Sequence, residues 1–515
     1  MTAGVDQYEI ELTLRLDPEA ASRLARRDSL PELRAGRMRR RRLVSTYFDT
    51  PDGLLRTSRI ALRIRQDGKR FVQTVKTAAA DTGPAIRRGE WECGVSEPVP
   101  DLRSLGDERE LRHVFGDAGL AAALQPVYTT DFTRTTIPLR VGDSRLDLAI
   151  DVGEIRVGEA TEPVCEAEIE LRRGAVADVY AVAQALRREV AVRLEPLSKS
   201  ERAYFLTLQG GVRPLRAKRP RMERDVSLGD AFLAIARSCL IQLRANAAAV
   251  ERGDDPEGMH QLRVALRRLR SAFSAFGAAM PGPARRRFAA SLKRLARTTD
   301  AARELDVFLA EILVAVRKAV GRDSGLAAVE AAAREARARA WARVRAALAG
   351  DLFVATVLDL EAWLEGGGWR LAAGDTYAHP AEDYARRVLK RLHRKLARAG
   401  ERLAELSEPE LHDVRLRAKK LRYAGEFFRD LFAAKAAKRY LAALADVQDH
   451  LGALNDSVTV RALLQRLGRR RLADAAGFER GAAVILGWSG ARVSAELDRL
   501  PETWRAFLDC RAFWK

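Results

Sequence analysis

Cysteine is scarce in this chain of 515 residues: the four, Cys93, Cys165, Cys239 and Cys510, are scattered and never stand as C-x-x-C. Neither a thiolate zinc site nor a disulfide framework is expected. Histidine is almost as rare, with six residues, and neither His260 nor His412 has a second His or Cys four positions on, so neither reads as a metal ligand. Aromatic residues make up 6% of the chain, and within its basic helical segments Tyr423 stands nearly alone, which leaves little to stack on nucleic-acid bases. No run approaches the roughly 18 apolar residues of a membrane span. The opening MTAGVDQYEIELTLRL interleaves carboxylates with its apolar residues, so no secretory signal is expected and the expected location is cytoplasmic.

Positive charge is abundant. The formal charge is +20 and the isoelectric point near 10.2, which points to a polyanionic partner: nucleic acid, inorganic polyphosphate or an anionic membrane. Charge alone does not choose among them, and part of the arginine count reflects a composition rich in Ala, Arg and Leu. With 47% hydrophobic residues the chain is globular, and its length implies two or three domains.

Two halves differ in period. Up to about residue 208, short runs alternate with period two, as in YEIELTLRL, KRFVQTVKT, RLDLAIDVGEI and CEAEIELRR, and turns such as Asp67-Gly68 bound them. They read as an antiparallel meander or barrel. Residues 209–225, with GGVRPLRAKRPRMERD, read as a basic linker. From 226 to 515 the period is 3.6 and the pattern is all-helical, divided near Gly366–Gly368 into repeats at about 226–365 and 380–515. An offset of 152 carries His260, Arg263, Arg267, Arg268, Arg270 and Phe276 onto His412, Arg415, Lys419, Lys420, Arg422 and Phe428, and Arg303-Glu304 onto Asn455-Asp456. The expected fold is thus α+β, with an N-terminal antiparallel β domain and an all-α domain of internal pseudo-twofold symmetry.

Residues two apart on a strand share a face, so Glu9, Glu11, Thr13 and Arg15 point together, as do Arg63 with Arg65, Glu90 with Glu92, and Glu166, Glu168 and Glu170. Like charges held together repel unless opposite charges or ligands face them. Either these faces are solvated, or they point inward and line a space with both signs of charge. An inward arrangement could hold phosphate oxygens on Arg and Lys and a hard divalent cation on carboxylates, the requirements of phosphoryl transfer.

In order and spacing, YEIEL, STYFDTPDGLLR, ALRIR, VKT, GEWE, AIDVGEI, EAEIEL and LSKSERAYFL resemble the CYTH domain of the triphosphate tunnel metalloenzymes over residues 5–208. The resemblance implies an eight-stranded antiparallel tunnel that hydrolyses inorganic triphosphate or a related triphosphate with Mg²⁺ or Mn²⁺. It implies Glu9 and Glu11 as catalytic glutamates, Glu168 and Glu170 as metal ligands with Glu166 and Asp151 beside them, and Glu90 and Glu92 as further acidic lining. Arg63, Arg65, Lys76, Arg134, Lys199 and Arg202 are implied as triphosphate contacts. The family signature E-x-E-x-K has Thr13 at its lysine position here, which weakens phosphate binding at that end unless Arg15 compensates.

The two H-x-x-R-x-x-x-[RK]-[RK]-L-R motifs resemble the CHAD domain, a helical module associated with polyphosphate. The resemblance implies a polyphosphate site built from His260, Arg263, Arg267, Arg268 and Arg270 with His412, Arg415, Lys419, Lys420 and Arg422, and an association with polyphosphate granules. On an ideal helix positions 260, 263, 267 and 270 fall within about 80° of one another, a stripe that a bound polyanion would relieve. The bland alternative is a solvated basic face. Two other readings of the whole chain are a polyphosphate-binding scaffold without efficient turnover and a nucleic-acid-binding protein; homo-oligomerisation is left open.

Overall fold

The computed structural model describes residues 8–26, 29–68, 70–77, 86–103, 111–115, 119–207, 212–280, 282–321, 324–371, 374–469 and 473–515. They form two compact units. One contains the strands and takes in two stretches from the second half of the chain, Arg244–Gly253 and Ala349–Gly367; the other comprises Leu215–Leu243, Asp254–Leu348 and Gly368–Lys515.

The period-two runs of the first unit become β1 (Tyr8–Arg15), β2 (Arg39–Asp49), β3 (Ile60–Asp67), β4 (Arg70–Thr77), β5 (Ile86–Val95), β6 (Gln125–Val141), β7 (Ser144–Val157), β8 (Ala160–Arg173) and a two-residue β9 (Arg193–Leu194). Among the described residues they form one antiparallel sheet in the order β5-β4-β3-β2-β6-β7-β8-β1-β9, nine strands where eight were expected. β5 also pairs with β1 over Tyr8–Glu11, but Leu14 and Arg15 pair with β9 instead, so the sheet curls back on itself without closing along its length. Two-residue turns join β6 to β7 and β7 to β8, each opening with a glycine of positive φ, Gly142 and Gly158, which the tight reversal favours.

Alternation along the strands sorts the two faces. Leu12, Leu14, Ile150, Ala167 and Ile169 are buried on one face, beneath the helix Val176–Glu189, which packs on β1 and β8 and is itself covered by the helix Asp351–Glu365. The opposite face carries the alternate, charged set, since partners across an antiparallel ladder share a face: Arg134 lies opposite Asp151, Asp151 opposite Glu166, and Glu166 opposite Arg15. Gly153 faces Phe132 on this side; a Cβ there would lie 2.1 Å from the Asp131 carbonyl oxygen. Its bare backbone leaves room for the Phe132 ring, over which Arg134 and Lys199 lie at 5.6 and 5.0 Å.

The second unit is helical. Its two motif helices, Pro256–Ala275 and Glu408–Phe428, pack together. The 152-residue offset extends to their caps, where Asp255 accepts a hydrogen bond from the Glu257 amide and Ser407 forms a capping box with Glu410. Phe276 and Phe428, equivalent by the same offset, meet with ring centroids 5.3 Å apart. A residue that touches its own equivalent lies beside an axis relating the two repeats, and such aromatic pairs add about 1 kcal/mol beyond burial. Among the described residues no helix is long and apolar enough to cross a membrane.

Candidate metal and phosphate sites

The charged face of the sheet divides into two groups. On β7 and β8, Asp151, Glu166 and Glu168 bring carboxylate oxygens within 4.8 Å of one another. Every one of those oxygens meets a cation. Arg134 grips Asp151 with Nε on Oδ1 at 2.7 Å and Nη2 on Oδ2 at 2.6 Å, and also reaches Glu168 Oε2. Lys199 Nζ contacts Asp151 Oδ2 at 2.8 Å, Glu168 Oε1 at 2.7 Å and Glu166 Oε1. Arg202 Nη1 donates to Glu166 Oε2 at 2.6 Å.

Burial and charge set the ionisation here. Burial pushes the Glu166 carboxyl up, with Lys199 opposing it. Glu168 is held below the usual carboxylate range, because Lys199 and Arg134 together outweigh its burial. Arg134 stays cationic against burial through Asp151 and Glu168, with Glu11 close enough to contribute.

The second group lies on β3, β4 and β5. Arg65 is 3.3 Å from Glu92, Lys76 is 3.2 Å from Glu90, and Thr74 Oγ1 donates to Glu92 at 3.0 Å. Arg63 sits 3.9 Å from Glu90 and 4.0 Å from Glu92, beyond hydrogen-bond range. Arg63 Nε and Arg65 Nε are buried without a hydrogen-bond partner. Lys76 is near enough to help lower Glu168, and Arg134 near enough to oppose the charge of Arg65, so the two groups border one space.

Several expected roles fall differently. Arg202 is 2% exposed and spends its guanidinium on Glu162 at 2.7 Å, Glu166 and the Pro163 carbonyl at 2.8 Å. It holds Glu166 from behind and has no face left for phosphate. Arg15, the suggested substitute at the Thr13 end, is drawn 2.9 Å from Glu251. Glu170 lies outside the three-carboxylate group, opposite Glu11 and Asp147 and paired with Arg172. Glu11 is buried on the charged face; the Glu9 side chain lies outside the described ones. Sequence reasoning missed Glu162, Glu195 and Arg252, which extend the ion pairs behind Arg202: Arg252 contacts Glu162 at 2.9 Å and Glu195 at 2.7 Å. It also missed Tyr47, which stacks on Tyr128 at 4.4 Å and stands opposite Arg63 across the β2–β3 ladder; its alternation with Ser45 on β2 was the available signal.

In the helical unit, cations from both repeats converge. Arg267 Nη1 lies 3.4 Å from the Tyr423 hydroxyl and is close enough to act on Lys419 and Arg415. Burial, then Arg415, Arg267 and Arg422, push the Lys419 ammonium down to about 7, with Asp456 opposing. Arg263, Arg415 and Arg422 each bury an Nε without a hydrogen-bond partner. Arg263 is steadied by Thr299 Oγ1 at 2.8 Å and Asp300 at 2.5 Å. His260 is half-buried, and burial with Arg303 pushes its imidazole below the ordinary value. Arg303, read from sequence only as part of the repeat, therefore belongs to the cluster.

Arg270, His412 and Lys420 are exposed along the same helices. Arg268 is the exception. It is 6% exposed, donates to Gln242 Oε1 at 3.1 Å and lies 6.0 Å from the Phe427 ring, so it serves the interior and cannot meet a polyanion. Its helical phase, 100° from Arg267, turns it inward.

Residues 7–204 match the family model of the CYTH domain and residues 234–465 that of the CHAD domain. The inorganic triphosphatase of Haemophilus influenzae is 30% identical over 199 residues, a match covering 38% of this chain and 54% of that protein, so the chain spans about half the length of this curated relative. The crystal structure of the CHAD domain from the plant Ricinus communis is 31% identical, with a TM-score of 0.51 over 57% of this chain and 97% of that one. The chain belongs to the proteins in which a CYTH domain is followed by a CHAD domain.

Proposed function

We propose that the strand unit binds a linear triphosphate against its charged face and hydrolyses it with a divalent cation, and that the helical unit holds inorganic polyphosphate on its paired basic helices. The observation that carries the first part is the juxtaposition on one sheet face of three clustered carboxylates with arginines whose buried Nε atoms have no partner. A donor set made only of carboxylate oxygens suits a hard ion such as Mg²⁺ or Mn²⁺. Asp151, Glu166 and Glu168 would hold it, and when bound it would neutralise phosphate charge and activate water.

The chain's own residues do the rest. Arg63, Arg65 and Lys76 bind phosphate oxygens, with Glu90 and Glu92 fixing their orientation. Glu11, on the same face, is the candidate acceptor for a proton from the attacking water, with Glu9 two residues before it. That a relative is an inorganic triphosphatase favours the unsubstituted triphosphate as substrate.

Incubating the full chain with inorganic triphosphate and Mg²⁺ or Mn²⁺ is expected to release phosphate, and EDTA to stop it. No release with either cation between about pH 7 and 10 would overturn the hydrolytic reading and leave a binding scaffold. Support for the polyphosphate reading comes from the convergence of Arg267, Arg415, Lys419 and Arg422 from both repeats. Competition of long-chain polyphosphate against duplex DNA, at matched phosphate and salt, is expected to favour polyphosphate. Preference for DNA would return the basic helices to nucleic-acid binding.

A further inference from the structure

Lys199 begins the helix Lys199–Thr207, and its side chain, 10% exposed, reaches into the cluster of Asp151, Glu166 and Glu168. A single ammonium there touches one oxygen from each of the three carboxylates. The remaining oxygens are held by guanidinium groups, Asp151 Oδ1 and Glu168 Oε2 by Arg134, and Glu166 Oε2 by Arg202. Three carboxylates are thus balanced by three cations, and the one in contact with all three is Lys199.

We propose that Lys199 is a tethered placeholder for the divalent cation, filling the carboxylate cluster until a cation displaces it and then turning its ammonium to the phosphate. The inference rests on the metal and triphosphate reading above and adds a role to one of its residues.

Three physical points support it. An ion taking one oxygen from each carboxylate would stand where the ammonium stands, and two cations cannot share that position. Of the three balancing cations Lys199 is the one fitted to leave: it is a point charge on a flexible stem, whereas Arg134 is clamped through two parallel bonds to Asp151 and Arg202 is fixed by Glu162 and the Pro163 carbonyl. A displaced ammonium needs an anion, and a phosphate oxygen on the same face supplies one. Cation binding alone therefore works against Lys199, while triphosphate gives the freed ammonium a partner, so the two ligands favour each other's binding.

The test is Mn²⁺ binding to the full chain without any phosphate, followed by the electron paramagnetic resonance of the free ion, in wild type, Lys199→Met and Lys199→Arg. Lys199→Met is expected to bind Mn²⁺ on the order of tenfold more tightly than wild type, and Lys199→Arg to stay within about twofold of it. Thermal melts provide a second readout: removing the ammonium leaves the carboxylates unbalanced, so Mn²⁺ should raise the midpoint of Lys199→Met more than that of wild type. If the methionine variant does not fold, Lys199→Gln replaces it with the same expectation. Equal or weaker Mn²⁺ binding in a folded neutral variant overturns the placeholder and leaves triphosphate hydrolysis, read by phosphate release, standing. Absence of Mn²⁺ binding from every form overturns the metal reading together with it.

Discussion

Glu168→Gln is expected to lower metal-dependent phosphate release from inorganic triphosphate by about a thousandfold, or ~4 kcal/mol of transition-state stabilisation. The amide matches the carboxylate in shape but carries no charge. Glu168 is held ionised below the usual carboxylate range because Lys199 and Arg134 outweigh its burial, so across the neutral range the site depends on a full negative charge that glutamine cannot supply. Removing it leaves two carboxylates, Asp151 and Glu166, to hold a cation against the three positive groups Lys199, Arg134 and Arg202. Steady-state phosphate release across a Mn²⁺ titration measures the effect. Retention of activity within about tenfold of wild type would move the metal away from these carboxylates. Polyphosphate binding by the same variant should be unchanged.

Lys419→Met is expected to move stability and polyphosphate affinity in opposite directions. The groups facing Lys419 are Arg415 and Arg422 on its own helix, Arg267 on Pro256–Ala275 and Asp456 on Ala434–Gly468, so one carboxylate opposes three guanidinium groups. Relief of three like-charge contacts should stabilise the folded protein by about 1 kcal/mol. The sign follows from linkage. An ammonium pushed down to about 7 binds fewer protons folded than unfolded between that value and its ordinary one, so its cost is present in full below pH 7 and fades as pH rises.

A bound polyanion reverses the balance by favouring the charged form. Affinity for polyphosphate should therefore rise as pH falls toward 7 and level off below it for this group, and the methionine variant should bind about tenfold more weakly at neutral pH with a flatter profile. Denaturant titration near pH 6 and calorimetric titration with polyphosphate between about pH 6 and 9 supply the two readouts. A variant that loses stability, or binds polyphosphate as wild type does, would return Lys419 to a packing role.

Much of the strand unit was legible in the sequence because the period of two is a local property. Once YEIELTLR is a strand, Glu11 and Thr13 must share a face and Leu12 and Leu14 the other, whatever surrounds them. The helical repeat was legible for the same reason, since a constant offset places equivalent side chains at equivalent helical phase.

Which charges meet was not legible. Arg15 has the alternation of a site residue, yet Glu251, 236 positions later, takes its guanidinium. Lys199 and Arg202 stand three residues apart in one motif; the first enters the carboxylate cluster and the second is sealed behind it by Glu162. Arg268 and Lys420 are equivalent by the repeat, but Gln242 and Phe427 enclose the arginine while the lysine remains in solvent. Likewise the small β9, which takes the edge of β1 beyond Glu11, has no distinct signature in two residues.

The sequence by itself determined the order of strand and helix regions, the faces on which charge is concentrated and the pairing of two basic motifs, because these follow from backbone periodicity and chemical type. Tertiary structure alone decided that Asp151, Glu166 and Glu168 share one space, that Lys199 fills it, and that Arg202 and Arg268 are withdrawn from ligands. Coulomb energy and desolvation depend on distances through space, and the residues concerned are brought together from strands and helices far apart along the chain.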